Sequence, residues 1–186
     1  MLATLLTLAT ISVLAWPVRT EWNRRQEWKR IGSCGTVGDS AEVSCEGVTL
    51  VQLRLPRSFA ACAAIEASNG GVCSVPVNQR VADRFQAAVT EIDQAGLGKF
   101  VTSFGTVNRR RCKDALTGSF IDGCISKHSY GLAADVRTFG DNARWGEVVA
   151  EEPGVQAMID VFRSHGFTWG MSFKSNPDPQ HVEWTP

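Results

Sequence analysis

Two segments in the second half of the chain carry side chains that can bind a metal. The segment SKHSYGLAAD supplies His128 and Asp135, and the segment NPDPQHVEW supplies Asp178, His181 and Glu183. Two imidazoles and a carboxylate are suitable zinc ligands, and three protein ligands leave a fourth position open, as in catalytic zinc sites. A nearby carboxylate that is not a ligand can take a proton from water as the water attacks a carbonyl group. The residue types therefore indicate metal-assisted hydrolysis.

Asp178 and Glu183 are the two candidates for that carboxylate. Because side chains alternate along a strand, Glu183 is expected to share a face with His181. From there Glu183 could instead hydrogen-bond the His181 imidazole and fix its tautomer, a contact that metal-binding histidines usually need. We rank this role of Glu183 above that of a base. His165 precedes Gly166 at the end of a predicted helix, and we interpret it as a helix-end residue rather than a ligand.

Hydrophobic periodicity predicts the elements that position these groups. A strand ended by Pro56 is predicted from three alternating apolar residues, Val51, Leu53 and Leu55. A helix capped by Asn78 and ended by Gly96 is predicted from four apolar residues at helical spacing, Val81, Phe85, Val89 and Ile92. A second helix is predicted over residues 153–164, and further strands over residues 99–107, 167–169 and 181–184. The mixed order of elements predicts an α+β fold.

Length, composition and charge exclude several classes of protein. The 186 residues fit one compact domain with a terminal extension. A hydrophobic fraction of 44% supplies a core, which excludes general disorder. Nineteen basic residues balance nineteen acidic ones, so no overall field draws the chain onto nucleic acid. We expect a monomer with no nucleic-acid partner.

The cysteines indicate an oxidising compartment, because six are too many for a typical cytosolic protein of this length. Their spacings of eleven, eleven and twelve positions predict pairing between neighbours, although six cysteines permit fifteen connectivities. The predicted disulfides are Cys34–Cys45, Cys62–Cys73 and Cys112–Cys124.

The amino terminus opens with an apolar run over residues 2–16, which has the size of the core of an export signal and is short for a membrane span. Basic residues follow this run rather than precede it, so a signal cleaved after Ala15 and a membrane anchor both stay open. An amphipathic helix lying on the domain, indicated by Trp22 and Trp28, is a third interpretation. The predicted organisation is a signal or anchor with a basic linker (residues 1–31), a cysteine-rich subdomain (residues 32–77) and a catalytic domain (residues 78–186).

Three ordered motifs give the chain a resemblance to a known family. They are S-x-H-x-x-G-x-A-x-D from Ser126, G-F-x-W-G from Gly166 and D-P-x-H-x-E from Asp178. Over residues 78–184 the chain resembles the VanY-type D-alanyl-D-alanine carboxypeptidases, a group of zinc peptidases that includes phage endopeptidases and the hedgehog-like fold. The resemblance implies a small, mostly antiparallel sheet with flanking helices, stapled here by disulfides.

The resemblance also implies residue roles. The family's zinc ligands are matched by His128, Asp135 and His181, which implies one Zn²⁺ per chain. Asp178 matches the catalytic acidic residue, and Arg110, with Arg109 as the alternative, matches the arginine that acts on the substrate and the developing oxyanion. The implied substrate is a peptidoglycan stem peptide, cleaved by a carboxypeptidase or an endopeptidase in the periplasm or outside the cell.

Several departures from the family pattern bear on substrate and activity. Val182 stands where the family commonly has Phe, Met171 replaces a frequent glycine, and residues 113–125 form an insert before the first metal motif. Extensin-like cell-wall proteins share the arginine segment and the first motif. The main alternative is therefore a zinc-stabilised wall-binding or signalling module without turnover, and the other is a disulfide-stapled surface domain without metal.

Overall fold

The computed structural model describes residues 21–37, 43–114, 117, 119–138, 153–174 and 177–186. Four α-helices lie in these residues: α1 (Glu21–Ile31), α2 (Cys62–Ser68), α3 (Ala82–Gln94) and α4 (Pro153–Ser164). Ten strands lie in the same residues: β1 (Ser33–Thr36), β2 (Val43–Glu46), β3 (Leu50–Arg54), β4 (Ser74–Asn78), β5 (Ser103–Gly105), β6 (Arg111–Lys113), β7 (Phe120–Ile125), β8 (Ala133–Arg137), β9 (Thr168–Trp169) and β10 (His181–Glu183). The predicted α+β class is confirmed.

Four antiparallel strands form the sheet that carries the candidate site. Their order is β5, β8, β10, β9, so β8 and β10 are the central strands. The other strands form two-stranded antiparallel pairs, β1 with β2, β3 with β4, and β6 with β7. Short 3-10 helices precede β5 (Gly98–Phe100), precede β8 (Lys127–Tyr130) and follow β9 (Gly170–Ser172).

Phenylalanine side chains join the two long helices to the sheet. The ring centroid of Phe104 on β5 lies 6.4 Å from that of Phe85 on α3 and 6.4 Å from that of Phe162 on α4. All three side chains are buried, and burying one such side chain contributes about 1.5–3 kcal/mol. The predicted apolar faces of both helices therefore point into one core.

Two local predictions need correction. Asn78 does not cap a helix: it ends β4, and α3 begins only at Ala82, after a turn in which Asn78 Oδ1 accepts from the Arg80 amide at 2.9 Å. An Asn side chain that bonds the backbone two residues on makes such a turn by itself. The single strand predicted over residues 99–107 is a 3-10 turn followed by the shorter β5.

The cysteines pair as predicted, in the disulfides Cys34–Cys45, Cys62–Cys73 and Cys112–Cys124. Three disulfides indicate an oxidising, extracytoplasmic environment. No helix among the described residues is long and apolar enough to cross a membrane. The apolar run of residues 2–16 lies outside the described residues.

One hydrophobic core includes residues from several parts of the chain. Ile31 at the end of α1 and Leu53 on β3 belong to the same buried cluster as Phe85 and Val182. The predicted boundary between residues 77 and 78 falls within β4. The division into a cysteine-rich subdomain and a catalytic domain stays a prediction about segments of the sequence.

Candidate active site

Strand pairing brings two of the predicted ligands together. Asp135 on β8 lies directly opposite His181 on β10 in the antiparallel register. Directly opposed residues of an antiparallel pair have Cα atoms about 4.5–5.5 Å apart and side chains on the same face of the sheet. The main chain thus sets the spacing of these two side chains, although they are separated by more than forty positions in the sequence.

A short turn supplies the third predicted ligand. His128 lies in the 3-10 helix Lys127–Tyr130, where the Ser126 hydroxyl caps the turn by accepting from the His128 amide at 3.4 Å. Gly131 ends the turn in a left-handed conformation with φ of 70°. A Cβ at Gly131 would lie 2.8 Å from the Asn78 nitrogen, so only glycine fits there. The Ser and Gly of the first motif therefore shape the turn that presents His128.

The three side chains converge on one point. His128 Nε2 lies 3.0 Å from Asp135 Oδ1 and 3.2 Å from His181 Nδ1. The third side of the triangle, from His181 Nδ1 to Asp135 Oδ1, is 3.2 Å. Tetrahedral ligands about 2.0–2.1 Å from a zinc ion lie about 3.3–3.4 Å from one another, so the triangle is close to the size that zinc needs.

The outer nitrogen of each imidazole faces an oxygen that can only accept a hydrogen bond. His128 Nδ1 donates to the Thr106 carbonyl oxygen at 2.6 Å, and His181 Nε2 donates to Glu183 Oε2 at 3.0 Å. When each ring carries its proton on the outer nitrogen only, its inner nitrogen presents a lone pair towards the other ring and the Asp135 carboxylate. Three lone pairs that meet in this way suit a cation, and two nitrogens with one oxygen are a donor set that zinc accepts.

The pKa values describe the same group in its metal-free state. Burial alone would raise the pKa of Asp135, but hydrogen bonds with His128 and His181 outweigh it and hold this pKa well below its usual range. Burial opposes the charged form of His181, yet hydrogen bonds to Asp135 and Glu183 raise its pKa to about 9. At neutral pH the metal-free His181 is thus protonated on both ring nitrogens, and a metal ion must displace the proton on Nδ1.

Asp178 lies beside this group, in the loop before β10. Its amide donates to the Gly170 carbonyl at 3.1 Å, and its Oδ1 accepts from the Gln180 amide at 3.3 Å. The backbone carbonyl of Asp178 and the Cβ of His181 crowd the position that a Cβ on Gly170 would occupy, so the glycine of the second motif permits this close approach. Burial and the nearby Asp135 charge raise the pKa of Asp178. A half-buried carboxyl group of this kind can exchange a proton with a bound substrate.

A cavity of about 690 Å³ opens beside His181 and is lined by Asp178, His181, Glu183, Arg110 and Lys127 among others. The disulfide Cys112–Cys124 forms part of its wall. The cavity therefore combines acidic groups with cationic side chains, in a volume typical of ligand sites.

The arginine segment is tied to the turn that carries His128. The Arg110 amide donates to Ser129 Oγ at 2.9 Å, and the Arg110 carbonyl accepts from the Ser126 amide at 3.2 Å. Of the neighbouring arginines, Arg109 is exposed and does not line the cavity, whereas Arg111 pairs with Asp122 at 2.9 Å. Arg110 is thus the arginine of this run whose placement fits the predicted role.

Comparison with protein families gives one match. The family model of D-alanyl-D-alanine carboxypeptidase matches residues 122–184. Over these residues the chain resembles the VanY-type peptidases, as its motifs predicted. A search of curated proteins finds no match to the chain. The family match indicates a carboxypeptidase-like peptidase, and hence a peptide substrate.

The carboxypeptidase match includes all three converging side chains together with Asp178 and Glu183, and it leaves Arg110 outside. Two contacts at the site were not predicted from the sequence. Thr106 contributes its main-chain carbonyl, a group that every residue has and that the sequence therefore cannot indicate. Ser129 contributes its hydroxyl and lies inside the first motif, whose other residues were the ones assigned roles.

Proposed function

We propose that this chain is a zinc-dependent peptidase that cleaves peptidoglycan stem peptides. One zinc ion would be held by His128, Asp135 and His181. The observation that carries the proposal is the triangle formed by His128 Nε2, His181 Nδ1 and Asp135 Oδ1, with a hydrogen-bond acceptor at the outer nitrogen of each imidazole. The family match supplies the class of reaction.

Each chain residue at the site has a distinct task in this proposal. When bound, zinc polarises a carbonyl group and lowers the pKa of water towards neutrality. Asp178 accepts the proton of the attacking water and returns it to the leaving amine. Arg110 lines the same cavity, and its guanidinium stabilises negative charge that develops on the carbonyl oxygen of the substrate. Glu183 holds the tautomer of His181.

The substrate class follows from the family and the compartment together. Disulfides favour a location outside the cytoplasm, where peptidoglycan lies, in the periplasm or beyond it. Stem peptides carry free carboxylates, and the cationic side chains of Arg110, Lys113 and Lys127 on the cavity wall complement that charge. Identification of the reaction products would distinguish removal of a terminal residue from cleavage within the stem peptide.

The test is hydrolysis of purified muropeptides by the full chain, with products resolved by mass, in the presence and absence of a chelator. We expect cleavage, its loss with chelator and its return when zinc is added. Zinc should be found near one equivalent by elemental analysis. Protein with one zinc and no cleavage of any stem peptide would favour the wall-binding module, and protein without zinc would refute the proposal.

Asp178→Ala tests the proton-transfer role. We expect this variant to bind one zinc and to lose hydrolysis, because the ligands stay in place while the proton acceptor is gone. Asp160→Ala is the matched control, since Asp160 is an exposed carboxylate on α4 that pairs with Arg163 at 3.0 Å and lies outside the cavity lining. An unchanged rate in Asp178→Ala would remove Asp178 from this role.

A further inference from the structure

We propose that α1 braces the turn that carries His128, and that Trp28 is a positioning residue for the metal site. The inference rests on the proposed function and concerns the same site. Helix α1 lies outside residues 122–184, which match the carboxypeptidase family. The brace is therefore a feature of this chain beyond the matched segment.

Trp28 contacts both ends of the turn. Its ring meets the Tyr130 ring edge to face, with centroids 5.6 Å apart and planes at 71°. Lys127 Nζ lies over the same indole ring, 4.0 Å from its centroid. Edge-to-face aromatic pairs and cations over an indole face are both attractive arrangements. The Trp28 side chain thus contacts Lys127, just before His128, and Tyr130, just after Ser129.

The brace is itself anchored by residues that follow Trp28 in the chain. Ile31, three residues after Trp28, is only 1% exposed and belongs to the hydrophobic core. Beyond it, the disulfide of β1 and β2 packs on the turn, with Cys34 Sγ 3.7 Å and Cys45 Sγ 3.3 Å from the Ser129 carbonyl oxygen. Trp28, Cys34 and Cys45 therefore contact the turn at Lys127, Ser129 and Tyr130.

The turn that carries His128 is too short to hold its own position and needs support from its surroundings. A 3-10 helix of four residues has poorer hydrogen-bond geometry than an α-helix and does little to fix its own position. A metal ligand, by contrast, must be held within about 0.5 Å of its working position by its surroundings. On the inner side, His128 has the Thr106 carbonyl at 2.6 Å. Trp28 and the Cys34–Cys45 disulfide contact the turn in addition to Asn78, whose side-chain and main-chain amides donate to the Tyr130 and Gly131 carbonyls at 2.9 Å.

The experiment measures zinc affinity by competition with a chromophoric chelator in full-length Trp28→Ala, Trp28→Phe and two control variants. We expect Trp28→Ala to bind zinc about tenfold more weakly than wild type, within the range found for groups that orient ligands. Trp28→Phe keeps an aromatic ring against Tyr130 and should recover most of the affinity. The cobalt-substituted Trp28→Ala protein should also show a changed visible absorption spectrum, which reports on ligand geometry.

The controls separate positioning from general destabilisation. Val89→Ala shortens a fully buried side chain on α3, where Val89 is 0% exposed. It should lower the unfolding midpoint of the metal-free protein, while zinc affinity stays within twofold of wild type. Lys29→Ala, next to Trp28 on α1 and exposed, should change neither quantity.

Two outcomes would overturn the inference in distinguishable ways. Zinc affinity in Trp28→Ala that falls no further than in Val89→Ala would overturn the brace alone. If Trp28→Ala does not fold, the same comparison is made with Trp28→Leu, which fills part of the space but offers no aromatic ring to Tyr130 or Lys127. Wild-type protein that takes up no zinc would overturn the proposed function and the brace with it.

Discussion

Glu183 accepts a hydrogen bond from the outer nitrogen of His181, and its removal is expected to weaken zinc binding without removing a ligand. In Glu183→Ala the His181 imidazole loses the acceptor 3.0 Å away that bonds its outer nitrogen and orients the ring. In Glu183→Gln the amide oxygen can still accept from Nε2, but the negative charge is gone. The two variants therefore separate the hydrogen bond from its charge.

The magnitude follows from the type and burial of the contact. The side chains of His181 and Glu183 are 10% and 18% exposed, so solvent screens their interaction only weakly. A hydrogen bond to a charged group contributes about 1.5–3 kcal/mol, compared with about 0.5–1.5 kcal/mol between neutral partners. We therefore expect Glu183→Ala to lower zinc affinity about 10- to 100-fold and Glu183→Gln to lower it about 5- to 10-fold.

Chelator competition at fixed pH measures both affinities. The matched control is a second His–Glu pair, in which His165 Nε2 lies 2.8 Å from Glu91 Oε2 and links the end of α4 to α3. Glu91→Ala removes a pair of the same chemistry outside the cavity lining and should leave zinc affinity unchanged. Zinc affinity in Glu183→Ala within twofold of wild type would refute the reasoning that Glu183 sets the tautomer of His181.

Three further results are expected. Because the pKa of His181 is raised to about 9 in the metal-free protein, zinc must displace a proton from His181 at any lower pH. The apparent zinc affinity should therefore rise about tenfold per pH unit towards pH 9. Isothermal titration at several pH values measures this, and an affinity independent of pH between 6 and 8 would contradict it. Ser129→Ala removes the hydroxyl that bonds the Arg110 main chain at 2.9 Å, and should lower kcat for muropeptides while zinc stays bound; an unchanged kcat would show that this bond does not position Arg110. Gly170→Ala forces a Cβ against the Asp178 carbonyl and should destabilise the protein by about 1–3 kcal/mol in urea unfolding, and unaltered stability would mean that the loop yields without strain.

The sequence predicted the identity of the converging groups better than the contacts that orient them. The resemblance of the motifs to the carboxypeptidase family singled out His128, Asp135 and His181, and strand alternation placed Glu183 on the face of His181, where the structure has it. The group that accepts the hydrogen bond of His128 could not be predicted, because it is the main-chain carbonyl of Thr106 and every residue has such a carbonyl. Its position depends on tertiary pairing between distant segments.

The elements were predicted where local periodicity and stop signals agree. Helix α4 has the predicted bounds, with Pro153 in its first turn and Gly166 after its end. The prediction that Asn78 caps a helix is wrong because the sequence cannot distinguish an Asn that begins a helix from one that ends a strand in a tight turn. The docking of α1 on the metal-site turn was not predicted either, since Trp28 among charged residues indicated a helix on the surface without showing what it contacts.

Main-chain pairing, rather than side-chain packing, sets the distance between Asp135 and His181. Other donors placed at these two positions would face each other across the same strand pair, so a thiolate or an imidazole in place of Asp135 would stand opposite His181 on an unchanged backbone. If the site binds a metal as proposed, the strand pair would keep two ligand positions in place while the ligand types are changed. Its preference between harder and softer ions could be altered at two positions while the sheet is left intact.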